Sequence, residues 1–459
     1  MKPTPYLWLV LCVVYGLAVG YRLQIVDIID VGSDTLSPLW AAMGVLHHGW
    51  SDPPNPESDH WLWVTHLPLM WGRNLHEVFV IRCAQAAVIA PLASYTVWIL
   101  SSHRIGVSLV AGLLLALDPG LRDTLVVGFR GYGAPEWFML SFLGLVAYGQ
   151  NKRWGILIFG AAWVIASGQH SLTFGAIVGV IYSAFVFTVN PKDHLLLLFT
   201  LGLALLPRLL WVGEVLQCDE GGIQCLMTIA SGSSESELSV WDTLIRGLQD
   251  RFHVEWSWMA LIGLLGLKWV EDSRLSRGVL LMAIGILGLG LALHTLRPYH
   301  LRIFVGPLVV CASVGWWQRF EKWGELLLCF WLVLMVSFQM APIGSPSALK
   351  SHDEIGQVLS KADRKIWVET HYSGEELYFD PSAAVVSAYL QGWDTTHLAC
   401  APSEAEIYSV IEQTGQNWEL HEFDQRQMPT ELLNRASPES ISITMYDAAV
   451  QVCPSLELE

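Results

Sequence analysis

"YLWLVLCVVYGLAVGYRLQIVDIIDVGSD", residues Tyr6 to Asp34, sets an apolar run directly against three carboxylates, Asp27, Asp30 and Asp34. An ionised carboxylate resists transfer from water into an apolar medium, because nothing there replaces its hydration. The apolar part therefore reads as a helix crossing a membrane, and the carboxylates as the mark of its far boundary. Lys2 precedes the run, as in a signal peptide. Gly20-Tyr21-Arg22 is a poor small-residue cleavage site, so the segment is read as an uncleaved first helix.

The remainder of the chain has the same character. Of 459 residues, 53% are hydrophobic and only 15% are charged, against roughly 25% charged in soluble domains. That balance points to many spans rather than one large soluble core. A formal net charge of −16 argues against a nucleic-acid partner. The 22 tryptophans suit belts at the membrane interfaces.

Apolar runs of spanning length centre on 5–21, 78–100, 104–118, 136–150, 153–169, 171–189, 194–212, 255–270, 278–295, 302–318 and 324–342. The positive-inside rule orients them. With Lys2 in the cytoplasm, the inner loops carry Arg104, Lys152, Arg153, Lys192, Lys268, Arg274, Arg277, Arg319 and Lys322 against Asp193, Glu271, Asp272 and Glu321. The opposite loops carry more acids than bases. The expected fold is an α-helical polytopic membrane protein of about eleven transmembrane helices over 1–342, amino terminus cytoplasmic, in the cell (inner) membrane.

Three larger pieces then lie outside: a first loop over 22–77, a loop over 213–254, and a tail over 343–459. The tail holds six basic residues against nineteen acids and no spanning run. Short β-like runs, "KIWVET", "AAVVSAYL" and "SISITMY", accompany the helix-like "SHDEIGQVLSKAD", which predicts a small extracytoplasmic α/β domain. Cys12, Cys83, Cys311 and Cys329 fall in spans. Cys218 and Cys225 share an outer loop, and Cys400 and Cys453 share the tail; each pair is either a disulfide in an oxidising compartment or two free thiols.

After the three carboxylates comes a helix start, with Ser37 as N-cap and Pro38 at the first helical position. "PLWAAMGVLHH" would form an interfacial amphipathic helix ending at Gly49. Read locally, Asp34 is a turn residue facing the dipole of that helix.

Basic residues collect on the same side. Arg82 and Arg208 lie at the outer edges of spans, Arg130 in "GFRGYGAPEW", and Arg297, His300 and Arg302 in "LRPYHLRIF". Arginine at headgroup depth suits a lipid phosphate, whose oxygens its fork can bind in pairs; snorkelling or ion pairing is the alternative. His47, His48, His60, His66 and His76 all fall in the first loop, but their spacing fits no standard zinc pattern. No cofactor is expected, a divalent metal on these histidines being the less favoured reading.

The order of these features resembles the GT-C glycosyltransferases, in particular the branch of protein O-mannosyltransferases and of bacterial transferases that add aminoarabinose to lipid A. In that branch an Asp-Glu pair opens the first outer loop. An amphipathic helix ending in Gly and a Pro-Pro-Leu-aromatic segment follow. Here Asp34 precedes "SPLWAAMGVLHHG", and "THLPLMW" follows. Arg82 in "FVIRCAQAAVIAPL", Asp118-Pro119 at the end of the third span, and Arg302 with Pro307 in "RPYHLRIFVGPLVV" match further positions. Thr35 stands where the family has Glu, Leu67 where it has the first Pro, and His66 where a basic residue is common.

The resemblance implies transfer of a sugar from a polyprenyl-phosphate donor to the hydroxyl of a lipid, polysaccharide or protein acceptor. Asp34 would be the general base, with Asp30 in reserve. Arg302, Arg297, Arg82, Arg130 and His300 would hold the donor phosphate, and His66 would lie near the substrates. The competing class is a non-catalytic membrane scaffold that binds lipid phosphate, or a transporter.

Overall fold

A computed structural model of the chain describes residues 5–26, 39, 68–123, 135–150, 152, 154–168, 195, 199, 202, 265–271, 273–292, 305–337, 348–361, 363–371, 381–394, 397, 406–414 and 417–424. These residues are mostly helical. In chain order they form α1 (Pro5–Leu23), α2 (Leu75–Ala87), α3 (Ile89–Leu100), α4 (Ile105–Ala116), α5 (Pro119–Asp123), α6 (Pro135–Gly149) and α7 (Trp154–Gly168). Then come α8 (Ser273–Ala292), α9 (Val305–Phe320), α10 (Lys322–Ser337), α11 (Ala348–Leu359), β1 (Ile366–His371), α12 (Pro381–Leu390), β2 (Ile407–Thr414) and β3 (Asn417–Asp424). Pro5–Leu23 and Leu75–Leu100 are long and apolar enough to cross a membrane; Ile105–Ala116 is apolar but shorter.

The chain divides into two compact units. The first comprises Met1–Arg22 and Ala84–Ala341. At its centre is α9, which packs against α3, α4, α6 and α10. Every residue of α9 from Val305 to Gly315 except Leu308 is buried, so this helix has no solvent face along that length. On α1 the buried stripe is Leu7, Val14, Ala18 and Tyr21, a heptad-like spacing that keeps one face turned inward.

The faces turned away from this core are equally apolar. Tyr6, Trp8, Leu9 and Val13 of α1 are exposed, as are Trp323, Leu326, Phe330 and Val333 of α10. A helix bordering water would carry charge there. Near the α9–α10 turn, aromatic and basic side chains gather. Trp269 meets Trp316 and Phe320 edge-on, the Arg319 guanidinium lies over Phe320, and Arg104 lies 5.9 Å from the centre of the Trp317 ring.

Helix contacts in this unit run through small residues. In the α3–α4 hairpin, the Ser94 hydroxyl donates to the Ser108 carbonyl (2.9 Å) and the Ser108 hydroxyl to the Ser94 carbonyl (2.8 Å). Both serines are buried, and these bonds satisfy groups that no water reaches. Between α6 and α7 the backbones touch. A Cβ on Gly155 would sit 2.5 Å from the Gly144 carbonyl oxygen, and one on Gly144 would sit 2.5 Å from the Phe159 nitrogen. Only hydrogen fits between them.

The second unit comprises Leu23–Cys83 and Pro342–Glu459. Its sheet has the order β1-β2-β3; β1 and β2 are parallel, and β2 and β3 are antiparallel with Thr414 opposite Asn417. The chain between β1 and β2 includes α12, as a parallel pair requires a crossover. Helix α12 packs on α11 and β1. The strand read at "KIWVET" is β1, and "SHDEIGQVLSKAD" forms α11. "AAVVSAYL", read as a strand, is instead helix α12. Its Ala384, Val385, Val386, Ser387 and Ala388 are all buried. A short segment buried all round shows no helical period, and the helix start at Asp380-Pro381 was the better signal. Of the amphipathic helix expected before Gly49, only Leu39 is described, and it is helical and buried. "SISITMY", the loop 213–254 and the four cysteines of the outer pairs lie outside the described residues. Cys12, Cys83, Cys311 and Cys329 form no disulfide.

Two consequences are measurable. Gly155→Leu forces α6 and α7 apart, since the obstructing atoms are backbone; about 1–3 kcal/mol of stability should be lost, and the thermal midpoint in detergent should fall. His352, fully buried in α11, has its pKa pushed down to about 3 by burial. An unfolded histidine titrates near 6.5, so the unfolded state binds more protons between those values. The His352 contribution is complete above pH 6.5 and is lost as pH falls towards 3. Acidification through that range should lower the midpoint of the wild type more than that of His352→Met.

Candidate functional site

Three helix ends in this protein are closed by polar or charged side chains. At the carboxyl end of α1, the buried stripe continues through Tyr21 to Arg22, which turns the guanidinium inward. Arg22 Nη1 donates to the carbonyl of Ala18 (3.1 Å) and to that of Ala116 (3.2 Å), and Nη2 donates to that of Leu115 (3.3 Å). Leu115 and Ala116 end α4, so the cation sits at the negative pole of that helix and meets carbonyls that have no partner within it.

The chain then turns through Asp118-Pro119. Asp118 is the N-cap of α5: its Oδ1 accepts from the Leu121 amide at 2.8 Å, and Pro119 takes the first helical position, where no N–H is needed. This short helix carries Arg122, whose guanidinium lies 5.0 Å from the centre of the Tyr21 ring. Arg22, Asp118 and Arg122 are all buried. The result is a buried polar patch at the α4–α5 junction that holds two arginines and one carboxylate. A further buried carboxylate, Glu136, begins α6.

The second unit holds Arg82, which is 0% exposed and lies on α2. Leu75 and Val78 are buried on the same helix. The start of α2 is fully capped. Asn74 Oδ1 accepts from the Glu77 amide (2.8 Å), and the Asn74 carbonyl accepts from the Val78 amide (3.0 Å). Glu77 reaches back to the Arg73 amide at 2.8 Å, close to a capping box. The two remaining amides of the first turn donate to a distant side chain: Leu75 to Asp353 Oδ1 (2.9 Å) and His76 to Asp353 Oδ2 (3.1 Å). The Ser387 hydroxyl also donates to Asp353, and Gln391 Nε2 donates to the Asp353 carbonyl (3.1 Å) and to Ser387 Oγ (3.0 Å). Burial raises the Asp353 pKa, and the hydrogen bonds from Ser387, His76 and Leu75 work against that rise.

Of the residues singled out in the sequence, Arg82 is therefore placed in a buried helix face. Asp34, Asp30, His66, Arg130, Arg208, Arg297, His300 and Arg302 lie outside the described residues. The sequence reading overlooked Arg22, Arg122, Glu136 and Asp353. Arg22 closes the apolar run of α1, and Asn74-x-x-Glu77 is a legible capping signal for α2; nothing local marks Asp353. Among the described residues, no group of three His, Cys, Asp or Glu side chains could hold a metal ion. No protein-family model matches the chain, and no curated protein is similar to it.

The Arg22 contacts carry a direct test. Arg22→Leu leaves the last carbonyls of α4 without their donor, and should cost about 1–3 kcal/mol. Arg22→Lys should recover part of it, because an ammonium reaches fewer of the three carbonyls. Thermal unfolding of the two variants against the wild type measures both.

Proposed function

We propose that this chain is a multi-pass membrane glycosyltransferase. It would move a sugar from a polyprenyl-phosphate donor to an acceptor hydroxyl at the outer face, with inversion. The observation that carries the reading is Arg82, a fully buried arginine on an apolar helix long enough to cross a membrane. Cations fixed in a dry environment are the strongest lever on a phosphate leaving group. Arginine buried in apolar surroundings is a functional candidate by default.

The membrane reading draws on the apolar outward faces of α1 and α10 and on the aromatic and basic ring near the α9–α10 turn. The topology of eleven spans gives the first loop and the tail the same side of the membrane. In support, residues 23–83 and 342–459 fall in one compact unit, as an even number of crossings between them would allow. The tail is then an extracytoplasmic α/β domain.

In the mechanism, the carboxylate of Asp34 takes the proton of the acceptor hydroxyl. The hydroxyl oxygen attacks the anomeric carbon. The bond from that carbon to the phosphate oxygen breaks, and polyprenyl phosphate leaves with the electron pair. Arg302, Arg297 and Arg82 stabilise the charge it gains, with Arg130 and His300 alongside; Asp30 is the reserve base and His66 borders the substrates.

In membranes supplied with a radiolabelled polyprenyl-phosphate sugar, Asp34→Asn should lower transfer by about 100-fold or more, and Arg302→Gln should weaken donor use. Undiminished transfer by Asp34→Asn removes that residue from the mechanism. Donor binding without transfer in the wild type would favour a lipid-phosphate scaffold.

A further inference from the structure

Helix α2 is held at its start by a residue 278 positions later in the chain. The grip is double. Two oxygens of one carboxylate accept from two successive amides, Leu75 and His76. A single acceptor would leave α2 free to turn about its axis; two acceptors on successive amides fix both rotation and axial position. Asp353 is itself braced, by the Ser387 hydroxyl and by Gln391 on its carbonyl. Both bracing residues come from α12 and the turn that follows it.

Leu75 and Arg82 are two helical turns apart, about 10 Å along the axis and on the same face. Both are fully buried. Any slip at the capped end is therefore transmitted to Arg82, because the intervening α2 backbone is rigid on that scale.

We infer that Asp353 is a positioning residue: through it the tail sets the depth and facing of Arg82. The part concerning the donor rests on the transferase reading above; the grip itself does not. Cys83 follows Arg82 and is a buried thiol outside any disulfide, so it reports the setting of that turn without reference to activity. Cys311, buried in α9, is an internal control for the rest of the fold.

The test uses the full chain in detergent micelles, a maleimide probe and peptide-resolved mass spectrometry. Asp353→Asn keeps one carbonyl oxygen but turns an N–H₂ towards an N–H, so one of the two amides loses its acceptor. Cys83 labelling should then rise several-fold while Cys311 stays at the wild-type rate, and Asp353→Ala should raise it further. Should Asp353→Ala expose both thiols through loss of the fold, Asp353→Asn and Ser387→Ala decide the matter. Cys83 labelling at the wild-type rate in those two variants overturns the proposal. In the transfer assay, Asp353→Asn should raise the donor KM several-fold with kcat near the wild type. In an Arg82→Ala background it should add nothing. An additive effect there would overturn positioning through Arg82. Wild-type protein with no transfer would overturn the transferase reading alone, and the thiol rates would still decide the grip.

Discussion

A helix end buried away from water must find its hydrogen-bond partners inside the protein, and three helix ends described above meet this constraint with side chains. The last carbonyls of α4 receive the guanidinium of Arg22. The first turn of α5 is closed by Asp118. The first turn of α2 is closed by Asn74 and Asp353 together. In each case the sign of the charge matches the helix pole: cation to carbonyls, carboxylates to amides. Polar groups that look out of place in an apolar chain are thus the condition for packing its helices.

The same constraint explains how closely those helices approach. Where no water competes, contacts are built from small residues and internal hydrogen bonds rather than from large apolar knobs. The reciprocal Ser94–Ser108 bonds and the Gly144–Gly155 backbone contact are two forms of this solution. Close backbone contact leaves little slack, so a charge fixed at a helix end stays fixed. Arg22 shows this directly, since three backbone carbonyls hold its guanidinium in place.

Much of the architecture was legible in the chain. The apolar runs at 5–21 and 78–100 correspond to α1 and to α2 with α3, because a spanning or core helix needs only continuous apolar character. "KIWVET" was legible as a strand because its β-branched and aromatic residues favour one. "AAVVSAYL" was misread: a short helix buried on all sides carries no period by which to recognise it. The hairpin of β2 and β3 was passed over, although Gly415-Gln416 between them is a turn signal. For the site, a charge among apolar residues drew attention to Arg82, since such a charge stands out in one dimension. Arg22 and Arg122 were passed over because each follows the end of an apolar run, where a charge looks like an ordinary boundary residue.

The sequence by itself determined that segments such as 5–21 and 78–100 are apolar and helical. Those properties depend on neighbours within a few residues. Only the tertiary structure decided that Arg22 points into the protein rather than outwards, and that residues 23–83 belong with 342–459. It alone brought Asp353 to the amides of Leu75 and His76. The physical reason is that an unsatisfied helix end specifies the chemistry of its partner but not its address. A carboxylate from any part of the chain can close the first turn of α2, and folding selects the one that the packing of α11 and α12 delivers.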